Sequence, residues 1–194
     1  MKYPFLAFTT MLILAFPGSA DADDGHDPLA NGLGSDIEVT PGSAWEISDG
    51  VLSPVAGEAM AFAYTTKIYG NFDLTLDVYP VGHANSGIFV RCKTPEEFSP
   101  EVCYEFNVWD AQENPDFRTG SIVRVSPPQQ TVETEDKWNT LRIRLEGAHL
   151  QFWVNGVLTN DIMNSEYQNG HIAFQYGGKN SMVRFRNIRI QELP

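Results

Sequence analysis

Alternation of apolar and polar residues runs through most of the chain from residue 44 onward, and this pattern predicts β-strands. The stretch FDLTLDVY places four apolar side chains on one side of a strand: Phe72, Leu74, Leu76 and Val78. The stretch WNTLRIRLEG repeats the pattern with Leu141, Ile143 and Leu145. Because helical periodicity is hard to find, we expect an almost wholly β chain.

Two local signals refine this strand pattern. Asn155-Gly156 separates QFWV from VLT, and this dipeptide favours a type I′ hairpin turn, which needs positive φ at both positions. In MVRFRNIRI the apolar positions change parity halfway along the stretch. A β-bulge near Arg186 and Asn187 would absorb the extra residue.

The number and spacing of the strands indicate the fold class. About ten short strands with no helices between them predict an all-β fold, an antiparallel two-sheet sandwich or jelly roll. Neither an internal repeat nor a second domain is evident, so we expect one β-sandwich domain over residues 44–194.

The first 43 residues differ from the rest. Lys2, an apolar stretch from Phe5 to Phe16 and the small residues ending at Ala20 predict a signal peptide over residues 1–20, and hence a secreted or periplasmic protein. A membrane anchor is the alternative, but the stretch is shorter than the roughly 20 residues that a span needs. Residues 21–43 begin with an acidic segment and are expected to form a flexible leader.

Charge and cysteine content narrow the class of protein. The formal net charge of −12 argues against nucleic acid and anionic membranes as partners, because both need clustered Lys and Arg. In an exported protein, the two cysteines suggest a Cys92–Cys103 disulfide, with a pair of free thiols as the alternative. The cysteines and the four scattered histidines show no zinc-ligand spacing.

The stretch from Asn85 to Asp110 carries the candidate chemistry. If its two strands pair as a hairpin, strand parity puts Arg91, Glu105 and Asn107 on one outward face, with Trp109 beside them. Polar groups for hydroxyls and flat apolar planes for C–H faces are what sugar recognition needs. The alternative is a cross-strand Arg–Glu pair on an ordinary solvated face, worth under about 1 kcal/mol.

Other chemistry is poorly supported. The chain has no Gly-x-Ser-x-Gly elbow, no His-Glu-x-x-His motif and no phosphate-binding glycine loop. His83 is isolated in sequence, although it lies just before the Asn85-Ser86-Gly87 turn. Parity also places Cys92 and Cys103 on opposite faces, so a disulfide requires either a bulge or a position in the loop mouth.

Five stretches occur in an order that resembles the 3-keto-disaccharide hydrolase family: YGNFDLTLDVYPVGHANSGIFVR, CYEFNVWD, RTGSIVRVSPP, KWNTLRIRLEGAHLQFWVNGVLTND and GHIAFQYGGKNSMVRFRNIRIQEL. The resemblance spans roughly residues 45–193. It implies a concanavalin A-like jelly roll with a pocket on its concave face. It also implies action on glycosides that are oxidised at C3 of the sugar.

The resemblance implies a particular chemistry. A 3-keto group acidifies the C2 proton, so its removal lets the anomeric substituent leave, and water then adds back. Such a reaction needs a base near C2 and donors on the keto oxygen, and a divalent metal is an open cofactor. The implied partner is a carbohydrate, either a 3-keto-glycoside or a glycan.

Residues of this chain match the polar positions of that family. Glu105 is the candidate base, Arg91 would orient the sugar or hold the oxyanion, and Asp110 is a third catalytic candidate. The remaining candidates are assigned to substrate binding: Asn107, Asn85, Trp109, Gln175, Tyr176, Asp77 and His83.

One departure from the family pattern affects the expected activity. Tyr176 stands about where the family commonly has a histidine. The resemblance as a whole implies a hydrolase or lyase. The missing histidine favours the alternative, a non-catalytic carbohydrate-binding module, and a structural sandwich is a third interpretation.

Overall fold

The computed structural model describes residues 25–55 and 57–194. Within these residues twelve strands form two sheets, and the one helical element is a short 3-10 turn at Pro115–Phe117. The strands are β1 (Ile37–Val39), β2 (Trp45–Ser48), β3 (Val51–Pro54), β4 (Ala61–Thr65), β5 (Phe72–Pro80), β6 (Ser86–Cys92), β7 (Tyr104–Val108), β8 (Asn139–Glu146), β9 (His149–Val154), β10 (Val157–Met163), β11 (His171–Tyr176) and β12 (Val183–Glu192).

The two sheets pack face to face as the predicted all-β sandwich. The five-stranded sheet has the order β1-β4-β11-β6-β7, and the seven-stranded sheet has the order β10-β9-β8-β5-β12-β3-β2. All of these strand pairings are antiparallel. The buried and half-buried residues of β5 alternate along its whole length, so the predicted apolar side faces the core.

Local turn chemistry also follows the sequence. Asn155 and Gly156 have φ values of 52° and 78°, which confirms a turn with positive φ at both positions between β9 and β10. The pairing of β12 with β5 shifts between Arg186 and Arg189, and Asn187 has a φ of 54°. The predicted bulge is therefore confirmed, and it returns the apolar residues after it to the core.

The segment before residue 44 is more ordered than the sequence suggested. His26 exchanges two backbone hydrogen bonds with Ile190, Leu29 is buried, and β1 pairs with β4. The described part of the expected flexible leader, residues 25–43, is thus packed on the sandwich. Widely spaced apolar residues hold this segment on the sandwich, and such spacing lacks the alternation that predicts a strand. The expected signal peptide, residues 1–20, lies outside the described residues. No helix among the described residues is long and apolar enough to cross a membrane.

A second bulge lies near the end of β6. Phe89 pairs with Ala173, but Cys92 pairs with His171, so β6 has one residue more than β11 over this interval. Arg91 has a φ of 56° and reverses the parity of the strand at this point. Cys92 therefore joins Cys103 in a disulfide, which confirms the predicted pairing.

Candidate functional site

The outer face of the five-stranded sheet, which points away from the other sheet, carries two adjoining rows of side chains. In the first row, Gly87 of β6 pairs with Asn107 of β7. On the other side of β6, Phe174 of β11 pairs with Ile88, so the next residue of β11, Gln175, lies opposite Gly87. In the next row, Phe89 lies between Glu105 and Ala173. Three predicted site residues, Glu105, Asn107 and Gln175, therefore lie close together.

An aromatic cluster covers one end of this face. Phe98 belongs to the loop closed by the disulfide, and its ring lies 4.8 Å from that of Phe62. Phe62 in turn meets Phe89 edge to face at 5.2 Å. These rings and the disulfide form a small core separate from the main one, and they help keep water from the neighbouring Glu105.

Glu105 is buried without an ionic partner. Its side chain is 7% exposed, and burial raises the pKa of its carboxyl from 4.5 to about 7. Among the described residues, no charge or hydrogen bond contributes to this shift. Taking a carboxylate out of water without compensation destabilises the fold, and such groups cluster at functional sites.

Two buried amides add unpaired acceptors to the same face. Asn107 donates from Nδ2 to the carbonyl of Phe117, while its Oδ1 has no partner among the described residues. Gln175 donates from Nε2 to the sulfur of Met60 at 3.2 Å, and its buried Oε1 is likewise unpaired within the described chain. A thioether is a weak acceptor, so the Gln175 amide is held loosely.

The backbone under these side chains is fixed on both edges. Beyond β7, the segment 120–123 continues the sheet: Gly120 donates to the carbonyl of Asn107, and Val123 donates to the carbonyl of Glu105. Asn85 and Trp109 lie two residues beyond Gly87 and Asn107, so alternation places them on the same outer face. Both side chains are half-buried, at the end of the face opposite the aromatic cluster.

Arg91 is not on this face, and the prediction that it lines the site is wrong. It is 1% exposed and donates to three backbone carbonyls, those of Gly70, Gly147 and Tyr167, at 2.9 to 3.1 Å. The bulge turns its side chain toward the end of the sandwich, where it ties together loops of both sheets.

Tyr176 and Asp77 also lie elsewhere. Tyr176 belongs to the main core, and its hydroxyl donates to the carbonyl of Gly57 at 2.6 Å. The alternation of HIAFQY, which puts Ile172, Phe174 and Tyr176 on one side, would have predicted this. Asp77 is on the seven-stranded sheet, where it accepts hydrogen bonds from Thr140, Arg186 and Asn187.

Asp110 and His83 have structural partners in the loops beyond Trp109. The Asp110 carboxylate accepts hydrogen bonds from Thr119, from the backbone and hydroxyl of Thr134, and from the backbone of Glu135. The Nδ1 atom of the exposed His83 lies 2.7 Å from Oε1 of Glu135. Asp110 therefore joins two loops and is not an unpaired base.

Gly87 was not singled out as a site residue by the sequence. A methyl group built at this position would lie 3.3 Å from Oε1 and 3.4 Å from Cγ of Glu105. The signal that could have found it is a glycine in the middle of a buried strand, which often marks a close approach.

The oxygen atoms on this face decide whether it could bind a metal ion. Within residues 25–55 and 57–194, no group of three or more His, Cys, Asp or Glu side chains could hold a metal ion. Glu105, Asn107 and Gln175 present one carboxyl and two amide oxygens, which are the ligand types that Mg²⁺ and Ca²⁺ accept. One carboxylate with two neutral amides does not make a divalent-metal site, and no metal is assigned to this face of the described residues.

Solved structures share this two-sheet architecture. A candidate glycosyl hydrolase from Parabacteroides distasonis ATCC 8503 is 24% identical, with 81% of this chain and 94% of that one covered and a TM-score of 0.70. A second candidate glycosyl hydrolase from that bacterium is 21% identical, with coverages of 77% and 84% and a TM-score of 0.66. The carbohydrate-binding module CBM66 from Bacillus subtilis is 13% identical, with coverages of 81% and 96% and a TM-score of 0.63. These likenesses establish the jelly-roll β-sandwich fold.

The family is established by the sequence of the domain itself. The family model of the 3-keto-alpha-glucoside-1,2-lyase-like domain matches residues 25–191. The chain therefore belongs to this family. No curated protein matches the chain.

Proposed function

We propose that this protein cleaves 3-keto-glycosides by base-catalysed elimination, with the Glu105 carboxylate as the base. The observation that carries the proposal is the burial of Glu105, with a pKa raised to about 7, beside two unpaired amide oxygens. A base with a pKa near the operating pH combines adequate ionisation with adequate proton affinity. Membership of the lyase-like family supports the same chemistry.

The proposed reaction begins with removal of the C2 proton. The C3 ketone acidifies the C2–H bond, and Glu105 takes this proton while the electron pair forms an enolate. The enolate expels the anomeric substituent as the C1–O bond breaks, and the departing oxygen takes up a proton from water. The hydroxide left by that water adds at C1, a solvent proton adds at C2, and Glu105 releases its proton to solvent, which completes a net hydrolysis.

The neighbouring amides suit a sugar bound at this carboxyl. Asn107 Oδ1 and Gln175 Oε1 would accept hydrogen bonds from sugar hydroxyls, which would offset the cost of burying them unpaired. The Gln175 Nε2 group, which now donates to the sulfur of Met60, would turn to donate to the keto oxygen. Asn85 and Trp109 lie at the end of the face away from the aromatic cluster and would meet the leaving group.

A carbohydrate-binding module without turnover is the second candidate function. It is favoured by one observation: Arg91, which was a catalytic candidate, points away from this face. The fold shared with the module from Bacillus subtilis is compatible with this alternative. The two functions differ in whether 3-keto-glucose is released.

The test measures product release from 3-keto-trehalose and 3-keto-glucosides, with and without EDTA. We expect wild-type turnover and a roughly 10²- to 10⁴-fold lower rate for Glu105→Gln, which keeps the shape but cannot take the proton. Affinity should change little, because the loss is in the transition state. Glu46→Gln, on an exposed position of the other sheet, is the matched control. Binding without turnover in the wild type would favour the module.

We also propose that the protein is exported from the cytosol. The Cys92–Cys103 disulfide supports an oxidising compartment, since such bonds are rare in a reducing cytosol. We propose that residues 1–20 direct the protein there. Sequencing the N-terminus of the exported protein should give Asp21 as its first residue.

A further inference from the structure

We infer that Gly87 is a positioning residue, whose missing side chain gives the Glu105 carboxyl its place on the sheet. The inference rests on the proposed function, because it assigns Gly87 a role in the reaction through Glu105.

The backbone at Gly87 does not require glycine. Its φ lies outside the left-handed region, and it sits within β6, where it pairs with Asn107. A glycine within a buried strand gives up side-chain packing and loses more conformational freedom on folding than other residues. Space on the outer face is the remaining explanation for a glycine here.

The geometry shows what fills that space. A Cβ at position 87 would lie 3.3 Å from Oε1 and 3.4 Å from Cγ of Glu105, and 3.2 Å from the carbonyl oxygen of Phe106. Contacts of this length require the neighbouring atoms to give by a few tenths of an ångström, and the Glu105 side chain is freer to do so than the carbonyl, which is part of the sheet. With glycine, this carboxyl lies low over β6 at Gly87, in the row that has Asn107 on one side and Gln175 on the other.

Such a shift has a consequence for catalysis. A base must sit within hydrogen-bond reach of the proton that it removes. A displacement of about 1 Å costs about 10²-fold in rate, so a shift of a few tenths of an ångström should cost a few-fold. The amides that would bind sugar hydroxyls are on other strands and keep their places. Gly87 would thus affect the chemical step more than binding.

The kinetic test is a double-mutant cycle. We expect Gly87→Ala to lower kcat roughly 2- to 10-fold with KM within about twofold of the wild type. If Gly87 acts through Glu105, the Gly87→Ala/Glu105→Gln variant should be no slower than Glu105→Gln alone. Gly70→Ala is the matched control, because its Cβ would lie 3.8 Å from the nearest atom and its φ is also outside the left-handed region. Fully additive effects in the cycle would overturn the inference.

A readout independent of turnover separates this inference from the proposed function. The carboxyl of Glu105 can be titrated by carbon-13 NMR in the wild type, Gly87→Ala and Gly70→Ala. We expect its pKa to change in Gly87→Ala, as the carboxyl leaves its position over β6, and to stay unchanged in Gly70→Ala. A wild type without turnover but with this shift would refute the proposed reaction and retain the positioning. An active wild type whose Glu105 titration and kcat are both unaffected by Gly87→Ala would refute the positioning alone.

Discussion

Two buried ionisable side chains, Arg91 and Glu105, differ in how the surrounding residues compensate for their burial. Arg91 is 1% exposed, yet its guanidinium donates four hydrogen bonds to three backbone carbonyls. Glu105 is 7% exposed, and nothing in the described chain offsets the desolvation of its carboxyl. Arg91 therefore contributes to stability, whereas Glu105 costs stability and is the better candidate for function.

The raised pKa of Glu105 predicts a pH-dependent stability. Between about pH 4.5 and pH 7 the folded protein holds this proton while the unfolded chain has released it, so stability falls as pH rises through that range. The full effect, above pH 7, is roughly 3 kcal/mol. Glu105→Gln lacks the titration, so relative to the wild type it should gain up to this amount between pH 4 and pH 8.

Urea denaturation of both proteins at the two pH values measures this gain. Glu46→Gln serves as the control, since its exposed side chain should leave the pH dependence unchanged. A constant difference between wild type and Glu105→Gln at both pH values would show that the carboxyl is not desolvated.

Removal of the Arg91 guanidinium should destabilise the fold. Arg91→Met keeps the apolar stem but leaves the carbonyls of Gly70, Gly147 and Tyr167 without their donor. At about 1–3 kcal/mol for each buried unpaired group, the loss in unfolding free energy should be at least about 3 kcal/mol. Lys67→Met is the control: Lys67 pairs with Glu192 in solvent, so its loss should cost under about 1 kcal/mol. If Arg91→Met keeps wild-type stability but binds sugar less well, Arg91 belongs to the sugar site and its role is not structural.

At the level of the elements, strand alternation predicted the core well but not the direction of Arg91. The apolar–polar alternation of β5 matches the structure along its whole length. In β12 the change of parity revealed the bulge, because apolar residues both precede and follow it. In β6 the bulge comes one residue before the strand ends. Too few residues follow it to show a change of parity, so the sequence placed Arg91 beside Glu105.

The disulfide joins adjacent strands next to the candidate site. Cys92 ends β6, and Cys103 immediately precedes β7, at a sequence separation of 11. Closing a loop of this length stabilises a fold by about 3 kcal/mol in the chain-entropy model. The Cys92→Ser/Cys103→Ser variant should lose about that much in denaturant unfolding. Thiol titration of unfolded, unreduced wild type should find no free thiol, and two reactive thiols would contradict the bond.

For the whole molecule, the sequence predicted the fold better than the site. Period-two alternation and turn residues define an antiparallel sandwich, but they do not say which of the two sheets a strand joins. Asp77 and Glu105 both have outward parity, and they lie on opposite sheets. The cluster of Glu105, Asn107 and Gln175 depends on strand order within the five-stranded sheet, which arises from long-range packing.

The central claim, that Glu105 removes the C2 proton of a 3-keto-glycoside, can be tested by isotope exchange. A 3-keto-glucoside is incubated in D₂O with wild type, with Glu105→Gln and without protein, and C2 is followed by NMR. The account predicts that the wild type introduces deuterium at C2 of the product and that Glu105→Gln does so at least about 100-fold more slowly. Release of the aglycone with C2 still carrying its original proton would contradict it, as would exchange by Glu105→Gln at the wild-type rate.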